Sequence, residues 1–176
     1  SQSNTTVTIR GPMNLVGDVA INTRMSGAST RLLIALAALR SGKTFIDGHA
    51  SLRARTNLPL VNALQNLGCQ IDSSDGHLPL AVRGPIQQTG SVQIDGSLSS
   101  QYITALLLIS CGVAGGQSIF EKITIEGELV SKPYIDITIN EMIKRGVNAR
   151  WEETRSISID TIGDYEAGHI TIEGDA

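Results

Sequence analysis

The sequence predicts an α/β fold (of the α+β kind) made of repeated β-α-β-α-β-β units with buried helices. Three observations predict it. Two helical segments are apolar on every side and therefore have to be buried. Two others carry apolar residues at helical spacing along one side, so each covers one face of a sheet. The same order of elements occurs twice along the chain.

The first copy opens on the Gly/Ser-rich stretch Ser26-Gly27-Ala28-Ser29-Thr30-Arg31. A nearly all-apolar helix follows from Leu32 to Leu39 and stops at Ser41-Gly42. Thr44-Phe45-Ile46-Asp47 reads as a strand closed by Gly48. After a linker, Asn57 begins an amphipathic helix with Leu60, Val61, Leu64 and Leu67 on its apolar side. Gly68 ends it where a left-handed residue is needed. Strands from Gln70 to Asp72 and from Leu80 to Arg83 complete the unit.

The second copy starts at Ser99-Ser100-Gln101, and its all-apolar helix carries Ile103, Leu106, Leu107 and Ile109. Strand material between Gln117 and Glu126 is closed by Gly127. The amphipathic helix carries Ile135, Ile139, Met142 and Ile143, and Gly146 ends it. Strands from Ala149 to Glu152 and from Ser156 to Asp160 follow. Gly48 answers to Gly127 and Gly68 to Gly146, at an offset of a little under 80 residues.

Two units cannot enclose two all-apolar helices without leaving apolar surface, so a third unit is implied. Val7-Thr8-Ile9-Arg10 and Asp18 to Asn22 read as the closing strands of an earlier unit. His169 to Ala176 reads as a strand with a Gly turn that begins something further. The expected organisation is residues 7–22 as the end of a first unit, 23–95 as a second, 96–168 as a third, and 169–176 as the start of a crossover. The chain is then part of a larger protein, and its open apolar surface favours self-association.

Bulk composition bounds the function. The chain has 176 residues, 41% of them apolar and 18% charged, as in ordinary globular proteins. Only 3% are aromatic, so Leu, Ile, Val and Ala build the core, and 18 glycines mark many turns. A net charge of −3 offers no overall field for nucleic acid, so an anionic ligand needs a local cluster of cations. The cysteines, Cys69 and Cys111, lack metal-ligand spacing and read as buried free thiols, with no zinc or other metal site expected. The longest apolar run, Ile103 to Val113, is far short of the roughly 20 residues that span a membrane. Ser1-Gln2-Ser3-Asn4 has no charged and apolar leader, so a cytoplasmic location is expected, with no membrane or nucleic-acid partner.

The residues that could carry chemistry cluster where helices begin. Ser97-Leu98-Ser99-Ser100-Gln101 opens the second buried helix, where free N–H groups and the positive end of the dipole attract anions. Ser is also a preferred N-cap, so for this cluster taken by itself capping alone is the favoured reading. In Leu129-Val130-Ser131-Lys132-Pro133-Tyr134, Ser131 reads as N-cap and Pro133 as N1. Lys132 adds a cation there, and Tyr134 stands out in an aromatic-poor chain. Arg53 and Arg55 lie in the linker Ser51 to Asn57, which matches the Glu128 to Lys132 segment of the other copy. They are either a solvated basic loop or guanidinium forks for a carboxylate or phosphate. Gly27 permits close backbone approach to a ligand, and Arg31 follows one turn later. His49, His77 and His169 read as unpartnered surface residues, and Asp95 and Asp136 as structural.

Ser97-Leu98-Ser99-Ser100-Gln101-Tyr102-Ile103-Thr104-Ala105-Leu106, followed by Leu129-Val130-Ser131-Lys132-Pro133-Tyr134-Ile135-Asp136-Ile137-Thr138, resembles the 5-enolpyruvylshikimate-3-phosphate synthase family. The resemblance runs from about Val7 to Ala176. It implies two domains of the inside-out α/β barrel type, each of three β-α-β-α-β-β units, with the active site between them. It implies an enzyme of aromatic amino acid biosynthesis, the class that glyphosate targets. Enolpyruvyl passes from phosphoenolpyruvate to the 5-hydroxyl of shikimate 3-phosphate, and phosphate leaves, without metal or organic cofactor.

Carried over by motif, Ser99, Ser100, Gln101, Ser131 and Tyr134 would bind shikimate 3-phosphate, the serines at its phosphate. Gly27 and Arg55 would bind phosphoenolpyruvate, with Gln101 between the two substrates. The sequence departs from the family pattern at Met25 and Ala28, in its Asn and Thr positions, and at Thr56, in its Pro position. The family's N-terminal Lys-Ser motif and second domain lie outside this chain. It is therefore expected to supply the shikimate 3-phosphate side of the site and to be inactive alone. A non-catalytic ligand-binding or interaction domain derived from the family is the alternative, favoured by the Met25 and Ala28 changes.

Overall fold

The computed structural model describes residues 7–10, 16–111, 118–160 and 165–171. Two four-stranded sheets, each backed by two principal helices, follow one another along the chain. The first unit is β1 (Val19–Asn22), α1 (Gly27–Ala37), β2 (Gly42–Asp47), α2 (Ala50–Arg53), α3 (Leu58–Asn66), β3 (Gln70–Ser74) and β4 (His77–Gly84). The second is β5 (Gly90–Asp95), α4 (Ser100–Ile109), β6 (Phe120–Glu126), α5 (Lys132–Ile143), β7 (Asn148–Glu153) and β8 (Ser156–Asp160). The sheet orders are β1-β2-β4-β3 and β5-β6-β8-β7. In both, the first two strands run parallel across the buried helix, and the last two form an antiparallel hairpin beside them.

This pairing moves the unit boundaries one strand earlier than the sequence reading placed them. Val19–Asn22 does not close an earlier unit. It is the parallel partner of β2, with Val19 opposite Thr44 and Asn22 opposite Asp47. Gly90–Asp95 plays the same part in the second unit, with Val92 opposite Ile123. The reading started each unit at its conspicuous Gly/Ser opening and so left the preceding short strand behind. Residues 7–10 form no strand, and Val7 and Ile9 are 77% and 90% exposed, so their apolar alternation has no described face to pack on. Residues 169–171 also form no strand, and the rest of that segment, 172–176, lies outside the described residues.

Packing follows from composition. In α4 every residue from Tyr102 to Ile109 is buried or half-buried except Leu108, because α1 and α5 flank it on either side. Leu60, Val61, Ala63 and Leu64 turn the apolar side of α3 into the same core, and α3 also leans on β5, joining the two units. On α5, Ile135, Ile139 and Met142 face the core as expected, whereas Ile143 is half exposed and Thr138 takes the inward place. Gly68 and Gly146 end α3 and α5 with φ of +86° and +82°, the left-handed conformation that glycine adopts without Cβ strain. Cys69 and Cys111 are free and buried, and burial pushes the Cys69 thiol up to about 11.

Candidate functional site

The starts of α1 and α4 are joined by the bond from Arg31 to Gln101, and the candidate residues lie around these helix starts. Each unit sends its chain from the end of a strand into the start of a helix. Ser26 caps α1, its Oγ accepting from the Ser29 N–H at 3.2 Å. Ser99 caps α4, accepting from the Gln101 N–H at 3.3 Å. None of α1, α3, α4 and α5 has an acidic residue in its first turn, so no carboxylate offsets the positive dipole ends.

A hollow of about 440 Å³ lies between the starts of α4 and α5. Ser99, Ser100, Gln101, Ser131 and Tyr134 line it, above Thr104 and Thr138. Those two threonines join hydroxyl to hydroxyl at 3.1 Å, and Thr138 donates on to the Tyr134 carbonyl at 2.9 Å. This chain of bonds fixes the spacing between the Ser99–Gln101 turn and the Ser131–Tyr134 turn.

Ser131 differs from the sequence reading. It stands at the cap position of α5 but in the left-handed region, φ 56° and ψ 41°, and its side chain makes no capping bond. A non-glycine residue held there costs about 1 kcal/mol or more, and such strain clusters at ligand sites. Pro133 sits one place further into the helix than N1, because Lys132 already has helical geometry. Tyr134 is 67% exposed, with its ring at the mouth of the hollow.

Lys132 is not available to a ligand as the sequence suggested. Its ammonium bonds both oxygens of Asp136, at 2.8 and 3.0 Å, and lies 4.5 Å from the centre of the Trp151 ring. The Trp151 indole N–H also donates to Asp136, at 2.8 Å. The Lys132 bond, with the indole bond behind it, holds the Asp136 carboxyl below the ordinary carboxylate range. A depressed folded value means that the stabilisation is complete above the unfolded value near 4 and is lost as pH falls through the folded one. Melting temperature followed from pH 6 down to pH 3 should therefore fall more steeply in the wild type than in Asp136→Asn. Parallel curves would refute that coupling.

On the first unit, Gly27 stands beside two arginines. A Cβ at Gly27 would lie 3.4 Å from Nη1 of Arg31 and 3.8 Å from Nη1 of Arg55, so the missing side chain leaves open the space against both guanidinium groups. Arg31 donates to Oε1 of Gln101 and lies over the Tyr102 ring, 5.2 Å from its centre. Gln101 thereby connects the arginine cluster to the serine hollow. Arg55 makes no side-chain hydrogen bond or ion pair among the described residues. Arg53, the other candidate fork, is taken. It grips Asp47 through Nε at 2.9 Å and Nη2 at 2.5 Å, and its bond holds the Asp47 carboxyl below the ordinary range.

Gly27, Arg55, Ser99, Ser100, Gln101, Ser131 and Tyr134 thus share one rim, bridged by Arg31. Sequence reasoning placed Arg31 one turn after Gly27 without a role and passed over Tyr102, whose hydroxyl donates to the Thr56 carbonyl at 2.8 Å. Two histidines read as unpartnered have partners. His49 accepts from the Ser51 N–H at 3.2 Å, and Nδ1 of His77 lies 2.8 Å from the Arg53 carbonyl. A second hollow, of about 380 Å³, lies at the opposite end of β2 around Gly42 and Arg83 and includes no candidate residue.

The paired β-α-β-α-β-β units bring helix starts without acidic residues, and a guanidinium without a partner among the described residues, to one rim. The chain belongs to the EPSP synthase (3-phosphoshikimate 1-carboxyvinyltransferase) family, whose model matches residues 1–176. It is 39% identical over 164 residues to the 3-phosphoshikimate 1-carboxyvinyltransferase of Methanocella arvoryzae, an alignment covering 91% of this chain and 37% of that protein. It is 41% identical over 145 residues to the enzyme of the same name from Halobacterium salinarum, covering 81% of this chain and 33% of that one. An EPSP synthase structure from Acinetobacter baumannii superposes with a TM-score of 0.60 over 80% of this chain and 30% of its own, at 24% identity, which speaks for the fold. The chain spans a little over a third of the length of the curated relatives it matches. Among the described residues, no helix is long and apolar enough to cross a membrane.

Proposed function

We propose that this chain supplies the shikimate 3-phosphate face of an enzyme that moves enolpyruvyl from phosphoenolpyruvate to the 5-hydroxyl of shikimate 3-phosphate. The observation that carries the reading is the shared rim, where hydroxyls, acid-free helix starts and a guanidinium without a partner among the described residues adjoin in a chain of this family. The phosphate of shikimate 3-phosphate sits against Ser99, Ser100 and Ser131, which offer hydroxyl donors beside the dipole ends of α4 and α5. The hydroxylated cyclohexene ring lies over Tyr134. Arg55 holds the anionic end of phosphoenolpyruvate, and Gly27 lets it approach. Gln101, oriented by Arg31, stands between the substrates.

The reaction is an addition followed by an elimination. The 5-hydroxyl gives up its proton as its oxygen bonds to C2 of phosphoenolpyruvate, while C3 takes a proton and becomes a methyl group, giving a tetrahedral intermediate. Loss of one methyl proton from C3 and cleavage of the C2–O bond to phosphate restore the double bond and release inorganic phosphate. The charge that develops needs preorganised donors around it, and the rim provides them from one side. The groups on the other side come from the parts of the family fold that this chain does not span, so it binds weakly and does not turn over by itself. A cytoplasmic setting suits its two buried free thiols.

Calorimetric titration with shikimate 3-phosphate tests the site. The wild type should bind, and Ser131→Ala should lose roughly tenfold in affinity, the effect of one hydrogen bond to a charged group. Equal affinities in the two proteins would remove Ser131 from the site. A second reading, a non-catalytic binding domain, is favoured by Met25, which is exposed beside the Ser26–Gly27 turn where the family carries Asn. Phosphate release on adding the rest of the family fold would exclude it.

A further inference from the structure

We propose that Tyr102 is the positioning residue that sets Arg31 and Arg55 at their working separation, acting across the boundary between the two units. The inference rests on the reading above that Arg55 receives the anionic end of phosphoenolpyruvate.

Tyr102 is 2% exposed and is the one aromatic residue in α4, whose other buried side chains are aliphatic apart from Ser100. Its two chemical faces do different work. The ring lies under the Arg31 guanidinium, which is drawn to the negative face of the π-system and is bonded at its other side to Gln101. The hydroxyl crosses from the second unit to the first and donates to the carbonyl of Thr56, the residue after Arg55. The rest of that loop is held from the opposite direction. The Thr56 hydroxyl donates to the Asp75 carbonyl at 2.7 Å, and the Asn57 N–H donates to the Gly76 carbonyl at 2.9 Å. The Arg55 backbone is therefore clamped between the β3–β4 turn and α4, while its side chain stays free of partners among the described residues. One buried side chain holds one arginine by its face and, by its hydroxyl, the Thr56 carbonyl that follows the other. That is the kind of support behind a binding group that a precise site requires.

Tyr102→Phe separates the two roles, because it keeps the ring under Arg31 and deletes only the bond to Thr56. The tests use this chain with phosphoenolpyruvate and shikimate 3-phosphate as separate ligands. Tyr102→Phe should weaken phosphoenolpyruvate binding about five- to tenfold and leave shikimate 3-phosphate within twofold. In an Arg55→Ala background the same change should have no further effect on phosphoenolpyruvate. Equal losses for both ligands, or losses that add to that of Arg55→Ala, would overturn the proposal, since general loosening of the core does not distinguish the ligands.

Amide hydrogen exchange at Arg55 and Asn57 decides the anchoring without any ligand. About tenfold faster exchange in Tyr102→Phe supports it, and unchanged exchange overturns it. If the wild type binds no phosphoenolpyruvate while exchange responds as expected, the ligand assignment of Arg55 fails and the clamp stands.

Discussion

Replacing Arg55 by Ala should lower the affinity of the chain for phosphoenolpyruvate by roughly 30- to 150-fold, about 2–3 kcal/mol. The size follows from what Arg55 lacks. Its guanidinium has no ion-pair partner among the described residues, and it lies beside the open backbone of Gly27. A ligand carboxylate or phosphate would be the group that satisfies its planar fork of donors. Arg53, two residues away, is the internal control. It already grips Asp47 with two bonds at a largely exposed position, so Arg53→Ala should cost less than threefold. Raising ionic strength should weaken the wild type and Arg53→Ala together and leave Arg55→Ala nearly unmoved. Titration of the three proteins at two salt concentrations reads both effects. Losses of similar size in Arg53→Ala and Arg55→Ala would show a diffuse basic surface instead of a directed contact.

Much of the fold was legible because it rests on two strong periodic signals. An all-apolar helix has one solution, burial, and α4 takes it almost completely. The glycines after α3 and α5 marked their ends because a left-handed residue leaves a distinct trace in sequence. What escaped was set by pairing between distant segments. Val19–Asn22 alternates exposed and half-buried residues, so its pattern does not say which neighbour it joins. Gly90–Asp95 begins at a glycine and carries only Val92 and Ile94 as inward apolar residues, a weak strand signal until β6 lies beside it. The Asp75-Gly76 turn was readable and went unread. Both residues have positive φ, 49° and 73°, as a two-residue hairpin between β3 and β4 requires.

The site was legible through short motifs and much less through residue type. Ser99, Ser100 and Ser131 look alike in sequence. The structure separates them, because Ser99 spends its oxygen on a cap whereas Ser131 makes no such bond and is strained. Arg53 and Arg55 look alike too, and an aspartate six residues before Arg53, at the end of β2, decides between them. Lys132 looked like the natural cation of the α5 start. Trp151, on a strand of the following hairpin, helps Asp136 hold it aside. Asp47 and Trp151 lie in other elements, where local pattern carries no information, whereas the Lys132–Asp136 pair is an i,i+4 contact within α5 that spacing alone could have shown.

Gly76→Ala should be among the most destabilising single changes in the chain, at about 3–4 kcal/mol, and it should disturb the site as well. A Cβ at Gly76 would sit 2.3 Å from the Leu58 nitrogen and 2.6 Å from its Cα, and both are backbone atoms that no rotamer change can move. The φ of +73° adds the left-handed penalty of about 1 kcal/mol. Relief requires the β3–β4 turn to part from the loop before α3. That breaks the bonds from the Asn57 N–H and Nδ2 to the Gly76 carbonyl, at 2.9 and 3.1 Å, and strains the Thr56 bond to Asp75. Each is worth about 1 kcal/mol, which with the φ penalty accounts for the total. In a domain of this size the melting temperature should drop by roughly 10 °C. Gly90→Ala is the matched control. Its φ of +126° is also unfavourable, but no atom lies within 4 Å of the added methyl, so only the backbone penalty applies. Because the parted loop carries Arg55, Gly76→Ala should also weaken phosphoenolpyruvate binding at temperatures where the protein remains folded, whereas Gly90→Ala should not. Thermal melts and titrations of the two variants side by side measure this. Equal destabilisation would mean that the turn gives way without moving the loop, and the mechanical link between the hairpin and Arg55 would be lost with it.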